Sequence, residues 1–277
     1  MIVFPNCKIN LGLHILDKRQ DGFHNLQTVF IPVKWYDIIE VIQNDVTKSN
    51  QTISVQYSGI EIKGDDGDNL CVKAYHLLCR ENYPLPSISM YLHKSIPMGA
   101  GLGGGSADGA FMLRLLNEKF NLQISEAKLI EYSAVLGSDC PFFIKNTPCF
   151  AEGRGEILEP IQVSLDGYKI LIINPGIHIN TGWAFSQLNP NRKQTTSLKE
   201  AIQLPIETWR NSITNDFETP AFTKYPEIEK IKKQLYQNGA VFALMSGSGS
   251  TVYGIFPPNS IIETKEFEKY LHKVVLV

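Results

Sequence analysis

The chain lacks an excess of charge of either sign, because 26 lysine and arginine residues stand against 28 aspartate and glutamate residues in 277 positions. A formal net charge of −2, with no basic stripe, argues against nucleic acid as a partner. The chain also lacks an apolar run approaching the length of roughly 18 residues that a membrane-spanning helix needs. We therefore expect no membrane partner. The length of 277 residues allows a core sufficient for one large domain or two ordinary ones.

Targeting and metal-binding patterns are absent as well. Residues 1–10 lack the charged segment followed by an apolar segment that marks a secretory signal. The five cysteines are odd in number and have no Cys-x-x-Cys spacing, which favours reduced thiols in the cytoplasm. The six histidines show no His-Glu-x-x-His pattern. These absences predict a cytoplasmic protein without a dedicated metal site.

The most informative feature that is present is a glycine-rich segment, in which five of the seven residues from 99 to 105 are glycine. It follows an alternating apolar pattern at 88–93, typical of a strand, and precedes a helical apolar pattern from Ala107 to Leu116. Glycine allows close backbone approach and positive φ, and a helix N-terminus offers unpaired N–H groups to an anion. This order of elements predicts a site for a phosphorylated ligand, most simply a nucleotide.

Several loop types have this composition. A Walker A loop ends in Gly-Lys-Ser/Thr, whereas Gly105 is followed directly by Ser106, so this alternative fails. Residues 99–104 satisfy Gly-x-Gly-x-x-Gly, but a dinucleotide fold also needs a strand ending in an acidic residue about 20 positions later. Residues 117–125 lack that strand pattern. A glycine-rich turn that packs a helix on a sheet, and the signature Pro-x-Gly-x-Gly-Leu-Gly-Gly-Gly-Ser, remain.

Strand and helix patterns alternate along the chain and predict an α+β protein with two lobes, residues 1–163 and 164–277. A helix is predicted after Asp68 or Asn69, and another from Pro226 that ends at Gly239. The pattern near the C-terminus predicts a helix over 263–272 and a strand over 273–277. The polar segments 44–51 and 189–196 are predicted to be a turn and a loop.

The N-terminal strand pattern, residues 7–16, places Ile9 and Leu11 on one face and Lys8 and Asn10 on the other. A solvated strand face explains the polar side chains. The short strand, with only polar or small residues on that second face, also suits the wall of a cleft.

Two further segments each allow two interpretations. Gly137 is predicted to end a helix, and Asp139 either caps the next turn or takes a proton from an attacking hydroxyl. Asp21-Gly22 predicts a turn, and behind it Phe23 offers a stacking face and His24 a hydrogen-bonding edge that suit a heterocyclic base.

A second segment rich in glycine and serine occupies residues 245–251. It predicts either a Gly/Ser hairpin or a second backbone cradle for an anion. Two glycine loops make sense together if both serve one polyphosphate.

Taken together these segments resemble the GHMP small-molecule kinases, and within them the kinases of 4-diphosphocytidyl-2-C-methyl-D-erythritol. The glycine loop indicates the superfamily, and the segment Asp21–His24 indicates the particular member. The matches occur in order over nearly the whole chain and comprise Cys7–Leu11, Asp21–His24, Leu26–Thr28, Asp68–Leu70, Lys94, Ile96–Met98, the glycine loop, Gly137–Phe143, Gly153–Glu156, Asn215–Glu218 and Met245–Ser250.

The resemblance implies a two-lobed fold, with an N-terminal lobe like domain 2 of ribosomal protein S5 and a ferredoxin-like C-terminal lobe. Phe23 stands where the family usually has tyrosine, and Ala100 and Ala107 stand where glycine and serine are frequent. Ring stacking and backbone contacts to phosphate survive these changes.

The resemblance also implies residue roles. The γ-phosphoryl group of ATP, with Mg²⁺ arriving on the nucleotide, would pass to the 2-hydroxyl of the methylerythritol unit and give the 2-phosphate and ADP. Asp139 would be the general base, and Lys8 would orient the hydroxyl and stabilise charge. The implied ATP site comprises Asn69, Lys94, Pro97, Met98, Gly99, Ala100, Gly101, Leu102, Gly103, Gly104, Gly105, Ser106 and Ala107. The implied substrate site comprises Asn10, Phe23, His24, Thr181, Phe185, Gly247 and Ser248.

Three other functions stay open on the sequence. Another GHMP kinase would share the loop but would not require the cytidyl group. An oxidoreductase would bind a nicotinamide dinucleotide, and its motif fails on spacing. A nucleotide-binding regulator would bind ATP without turnover, which the combination of Lys8 and Asp139 argues against. We expect only small-molecule ligands and a monomer or weak homodimer.

Overall fold

The computed structural model describes residues 1–44, 52–62, 64–188 and 197–277. The predicted loop at 189–196, and the predicted turn at 44–51 apart from its first residue, lie outside these ranges. The chain falls into two compact units, each assembled from segments that are separate in sequence. The first comprises Met1–Cys7, Trp35–Met98 and Gly103–Asn146, and the second comprises Lys8–Lys34, Gly99–Leu102 and Thr147–Val277. The division into lobes after residue 163 stays a prediction.

Strands and helices follow one another in mixed order, as the sequence predicts. The strands are β1 (Ile2–Val3), β2 (Asn6–Lys18), β3 (His24–Tyr36), β4 (Ile38–Gln43), β5 (Ile53–Gly59), β6 (Ile88–Lys94), β7 (Cys149–Glu152), β8 (Ile157–Pro160), β9 (Lys169–Asn174), β10 (Phe242–Met245), β11 (Val252–Phe256) and β12 (Leu271–Leu276). The helices are α1 (Leu70–Arg80), α2 (Gly104–Lys119), α3 (Glu126–Leu136), α4 (Cys140–Lys145), α5 (Thr181–Ser186), α6 (Leu198–Ala201), α7 (Ile206–Ser212), α8 (Glu218–Lys224) and α9 (Pro226–Gln237). In the part of the chain that the structure describes, none of these helices has the length and apolarity needed to cross a bilayer.

The first unit contains a four-stranded sheet with the order β1-β4-β6-β5. Strand β6 pairs antiparallel with β4 and parallel with β5. Alternate residues of β4 and β6 point into the core, since Ile39, Val41, Met90 and Leu92 are buried. The end of β6 at Lys94 is the point from which the chain enters the glycine loop.

Helices α1 and α2 pack closely within the first unit. Asn69 caps α1, because its side-chain oxygen accepts a hydrogen bond from the backbone N–H of Cys71 at 2.8 Å. The helices approach at Gly109 of α2, where an added Cβ would lie 2.8 Å from the Cβ of Leu70. The close approach fixes α2, whose N-terminus follows the glycine loop.

The second unit contains two four-stranded sheets, with the orders β2-β3-β7-β8 and β10-β11-β9-β12. Its core joins Leu13 and Ile15 of β2 to Leu171 and Ile173 of β9. The predicted helix from Pro226 is confirmed as α9, and it buries its apolar face in the same core through Ile228, Ile231 and Leu235.

The predicted helix over 263–272 is wrong. The chain makes a single 3₁₀ turn at Lys265–Phe267, and β12 begins at Leu271. Strand β12 pairs antiparallel with β9 along its whole length, from Leu271 opposite Asn174 to Leu276 opposite Lys169. Pairing with β9 satisfies backbone groups that the edge of that strand would otherwise expose, and this long-range gain overrides a local helical pattern.

A buried ionic cluster lies in the first unit where β6 ends. The ammonium of Lys94 pairs with the carboxylates of Asp37 and of Asp108, the latter at 2.7 Å. Asp37 also accepts hydrogen bonds from the backbone N–H groups of Ser95 at 2.7 Å and Ile96 at 2.9 Å. The cluster therefore fastens the segment that leaves β6 to helix α2, which carries Asp108.

Asp108 holds the charge that the cluster leaves unbalanced. Its Oδ1 atom is buried and lacks a hydrogen-bond partner among the described residues. Burial raises the pKa of Asp108 to about 7, an effect that Lys94 opposes and Asp37 reinforces. Two carboxylates beside one ammonium leave one negative charge, which a proton on Asp108 removes.

Replacing Asp108 with asparagine is expected to flatten the dependence of stability on pH. A carboxyl whose pKa is raised by folding stabilises the protein fully below the unfolded-state pKa of about 4, and this contribution is lost as pH rises through about 7. Between these values one proton gives a slope of up to about 1.4 kcal/mol per pH unit, which Asp108→Asn lacks. Chemical unfolding of both proteins across this range measures the difference. Parallel curves would show that Asp108 does not carry the proton.

Candidate functional site

The boundary between the two units falls within the glycine loop. Gly99–Leu102 belongs to the second unit, and Gly103 onward belongs to the first, where α2 begins at Gly104. Gly99, Gly101 and Gly103 have φ of +62°, +79° and +68°, in the left-handed region that glycine adopts without strain. The predicted order of strand, glycine loop and helix is confirmed.

The first turn of α2 is suited to an anion. Its leading N–H groups have no carbonyl of their own helix to bind, and the positive end of the helix dipole lies there. A Cβ added at Gly105 would meet no atom within 4 Å, so there is open space beside this turn. Donors next to open space are what a phosphate group requires.

Asp139 lies in the first unit at the N-terminus of α4. Among the described residues, its carboxylate makes no capping hydrogen bond to that helix. The neighbouring Cys140 lies close enough to Ser106 of α2 for that side chain to act against the rise in the pKa of the Cys140 thiol, so the Asp139 segment lies beside the end of the glycine loop. Burial raises the pKa of Cys140 to about 12, and the negative charge of Asp139 adds to the effect. The general-base role of Asp139 stays a prediction.

Lys8 and Asn10 lie in the second unit on a strand that is buried on both faces, with exposed fractions of 3% and 2%. This burial decides against the solvated strand face. The Lys8 ammonium donates hydrogen bonds to Oδ1 of Asn10 and, at 3.1 Å, to the carbonyl oxygen of Gly101. It also lies 5.0 Å from the ring centroid of Phe30. This network therefore holds the ammonium of Lys8 against the carbonyl oxygen of Gly101 in the glycine loop.

The second glycine segment packs against the first. Ser246 Oγ donates to the carbonyl oxygen of Gly101 at 2.8 Å and accepts from the backbone N–H of Asn10 at 3.1 Å. A Cβ on Gly101 would lie 1.9 Å from the carbonyl oxygen of Ser246, and one on Gly247 would lie 3.1 Å from Cα of Gly101. Residues 246–247 thus pack directly against Gly101 of the glycine loop. The substrate contacts predicted for Gly247 and Ser248 stay predictions.

An aromatic cluster occupies another part of the second unit. The rings of His24 and Phe185 stack, with centroids 4.8 Å apart and planes at 17°. Phe23 next to them is 54% exposed, and the guanidinium carbon of Arg154 lies 5.0 Å from its ring centroid. The structure therefore brings Phe185 of α5 together with His24 at the start of β3, although the two residues are far apart in the sequence, and Phe23 precedes His24.

His24 is prepared for hydrogen bonding as a neutral ring. Burial lowers its pKa below the ordinary histidine value, and the positive charge of Lys18 lowers it further. At neutral pH the imidazole therefore offers one donor and one acceptor. Those groups match the edge of a heterocyclic base.

Other predicted site residues have identifiable surroundings. In the first unit, Asn69 caps α1 and its Nδ2 donates to the hydroxyl of Tyr57 at 3.2 Å. The ammonium of Lys94, which was predicted to lie near the adenosine, is engaged by the buried carboxylates described above. In the second unit, the hydroxyls of Thr181 and Ser248 lie 3.2 Å apart.

Several residues of the site were missed in the sequence. Thr28 hydrogen-bonds Asn10 at 2.9 Å, and Asn215 donates to the carbonyl oxygens of Met245 at 2.7 Å and Gly247 at 2.8 Å. Both occur in segments that carry the resemblance, which is the signal that marked them. The sequence does not predict their roles, because each residue hydrogen-bonds a partner that is distant in the sequence.

A metal site built from side chains alone is not evident. Across residues 1–44, 52–62, 64–188 and 197–277, no group of three or more His, Cys, Asp and Glu side chains is arranged to hold an ion. The hydroxyl of Ser106 lies on the first turn of α2, directly after the last glycine of the loop.

Two family models match the chain. The model of the GHMP kinases N terminal domain matches residues 69–146, and the model of the GHMP kinases C terminal region matches residues 197–267. The first match contains the glycine loop and Asp139, and the second contains the segment from Asn215 to Ser250.

Relatives match over nearly the full chain. The 4-diphosphocytidyl-2-C-methyl-D-erythritol kinase of Bacteroides fragilis is 53% identical over 97% of this chain and 96% of its own length. The enzyme of the same name from Bacteroides thetaiotaomicron is 51% identical over 95% and 94%. A crystal structure of 4-(cytidine 5'-diphospho)-2C-methyl-D-erythritol kinase superposes with a TM-score of 0.78, 28% identity and coverage of 92% and 90%.

More distant structures show the same fold. The mevalonate kinase of Methanococcus jannaschii superposes with a TM-score of 0.73 at 13% identity and covers 100% of this chain and 98% of its own. The predicted α+β fold with two lobes of the GHMP type is confirmed by these neighbours.

Replacing Gly101 with alanine is expected to destabilise the protein by roughly 1–3 kcal/mol, because the Cβ meets the backbone of Ser246 and φ is positive. Gly105→Ala is the matched control, since the same added Cβ meets open space within a helix and there alanine is favoured over glycine. Denaturant unfolding of the three proteins measures the free energy of unfolding. Equal stability of the two variants would contradict the close packing of the two glycine segments.

Proposed function

Since the chain belongs to the GHMP kinases, and within them to the family of the 4-diphosphocytidyl-2-C-methyl-D-erythritol kinases, we propose that it phosphorylates this cytidyl compound with ATP. The γ-phosphoryl group passes to the 2-hydroxyl and gives the 2-phosphate and ADP, a step in the non-mevalonate route to isoprenoid precursors. The observation that carries this conclusion is the 53% identity over 97% of the chain with a kinase of that name.

The ATP phosphates are assigned to the glycine loop and the first turn of α2. Positive φ at Gly99, Gly101 and Gly103 turns the backbone so that its N–H groups face a ligand, and Gly105 leaves room beside the helix N-terminus. Asn69 and Lys94 are assigned to the adenosine side. Because the Lys94 ammonium is engaged by Asp37 and Asp108, its contribution there comes through the backbone it holds.

The cytosine is assigned to the aromatic cluster of the second unit. Phe23 offers an exposed ring face, Phe185 a second ring, and neutral His24 a donor and an acceptor. Arg154, beside Phe23, adds positive charge next to a substrate that carries a diphosphate. A kinase whose acceptor is a small alcohol without a heterocyclic base would not require these aromatic side chains.

The chemistry depends on positioning and on charge neutralisation, because phosphoryl transfer passes through a loose transition state. Asp139 takes the proton of the attacking hydroxyl. Lys8 stabilises the charge on the transferring group, and its ammonium is already fixed by Asn10 and the carbonyl of Gly101. The Ser106 hydroxyl would be a protein ligand of Mg²⁺ arriving with ATP, and the ion would supply neutralisation of phosphate charge.

The acceptor test compares four alcohols with Mg-ATP: 4-diphosphocytidyl-2-C-methyl-D-erythritol, free methylerythritol, mevalonate and homoserine. We expect ADP release with the cytidyl compound alone, and we expect CMP to compete with that compound but not with ATP. Turnover of mevalonate or homoserine would keep the kinase fold and overturn the substrate. Silence with all four, while ATP still binds, would favour the regulator.

Replacing Asp139 with asparagine is expected to lower kcat by about 10²–10⁴, because the amide cannot accept the proton of the hydroxyl. The KM values for both substrates should change little, since the side chain keeps its shape. Asp166→Asn, at an exposed aspartate of the second unit, is the control for loss of a negative charge. Near-normal turnover of Asp139→Asn would remove Asp139 from the role of base.

A further inference from the structure

Thr28 of β3 lies completely buried in the second unit and connects two parts of β2. Its hydroxyl donates a hydrogen bond to the carbonyl oxygen of Gly12. The same oxygen accepts a hydrogen bond from Nδ2 of Asn10 at 2.9 Å. A threonine hydroxyl has one proton, so once that proton is given to Gly12 the oxygen faces Asn10 only as an acceptor.

This direction of hydrogen bonding sets the orientation of the Asn10 amide. The NH₂ end must point to Thr28, and therefore the Oδ1 end points to the ammonium of Lys8, which donates to it. A reversed amide would place two donors against each other at Lys8 and leave Thr28 without a donor. The amide has a single satisfactory orientation, which Lys8 and the Ser246 hydroxyl, 3.4 Å from Oδ1, support at one end and the Thr28 hydroxyl supports at the other.

The opposite end of this chain of bonds reaches the glycine loop. The Lys8 ammonium donates to the carbonyl oxygen of Gly101 at 3.1 Å, and the Lys8 backbone N–H donates to that of Leu102 at 2.9 Å. The chain of side chains therefore runs from Gly12 through Thr28, Asn10 and Lys8 to the loop. It is buried throughout, so water does not replace a missing member without cost.

We propose that Thr28 is a positioning residue for the phosphoryl transfer, acting through the Asn10 amide on the Lys8 ammonium. The role of Lys8 in this inference rests on the proposed function. The orientation of the Asn10 amide rests on the hydrogen bonds alone. Thr28 touches neither reactant in this account. Its loss should therefore reduce the rate of the chemical step more than the affinity for ATP or the acceptor.

The kinetic test compares Thr28→Val, which keeps the shape and removes the hydroxyl, with Thr28→Ser, which keeps the hydroxyl. We expect kcat to fall about 10- to 100-fold in Thr28→Val with both KM values within about threefold, and to stay near the wild-type value in Thr28→Ser. Ser133→Ala removes a buried hydroxyl bonded to a backbone carbonyl in the first unit and should lower stability without this loss of kcat. Wild-type kcat in Thr28→Val, or an equal loss in Thr28→Ser, would overturn the proposal.

A double-mutant cycle tests whether Thr28 acts through Asn10. Once Asn10→Ala has removed the amide, adding Thr28→Val should lower kcat by less than about twofold further. Losses that multiply would mean that Thr28 acts independently of Asn10, contrary to the proposal. If Thr28→Val does not fold, Thr28→Cys, with its weak thiol donor and acceptor, takes its place in both experiments.

A readout without turnover separates this inference from the proposed function. The side-chain NH₂ resonances of Asn10, identified by their loss in Asn10→Ala, should exchange slowly with solvent in the wild type and in Thr28→Ser. They should exchange faster and shift in Thr28→Val. Unchanged resonances would overturn the positioning role even in a protein that phosphorylates the cytidyl acceptor. A changed spectrum in a protein that does not turn it over would uphold the control of the Asn10 amide by Thr28 and reject the proposed function.

Discussion

The carbonyl oxygen of Gly101 is the point on which the second unit's part of the site depends. It accepts one hydrogen bond from the ammonium of Lys8 and another from the hydroxyl of Ser246. For this carbonyl to accept from both donors, the backbone at position 101 must lie close to the backbone of Ser246. A Cβ at position 101 would lie 1.9 Å from the Ser246 carbonyl oxygen, so only glycine fits there. The loop is thus shaped by contacts within the protein, and under the proposed function this reduces the free-energy cost of ordering it around phosphate.

In the first unit, buried ion pairs fix the backbone at the end of β6. Asp37 and Asp108 surround Lys94 at the end of β6, and Asp37 also holds the next two backbone N–H groups. Burying three ionisable groups costs desolvation free energy that a hydrophobic cluster would avoid, so stability alone is a weak reason for this arrangement. What the charges provide is direction: the residue that precedes β4 and helix α2 are both fixed with respect to Lys94 at the end of β6. Placement of the loop is a sufficient reason for a cluster of this kind.

The sequence predicts the parts of the molecule that depend on neighbouring residues. The glycine loop, the cap at Asn69 and helix α9 follow from local patterns, and the structure confirms them. The predicted C-terminal helix is wrong because β12 pairs with β9, a strand that lies far earlier in the chain. Asp108 and Thr28 were not found as positioning groups for the same reason. A single aspartate or threonine carries no pattern, and its importance arises from partners brought near only by folding.

The fold does not select the acceptor. A mevalonate kinase shares it at 13% identity, and a homoserine kinase superposes with a TM-score of 0.61 at 13% identity, so the same backbone accompanies different alcohols by name. Selection must therefore come from side chains that the chain adds to the common frame. His24 and Phe185 stack on each other within one unit, which fixes the start of β3 relative to α5. Under the proposed function, two ring-bearing segments held in advance lose little conformational entropy when a base binds, and that saving is available to a cytidyl acceptor but not to mevalonate or homoserine.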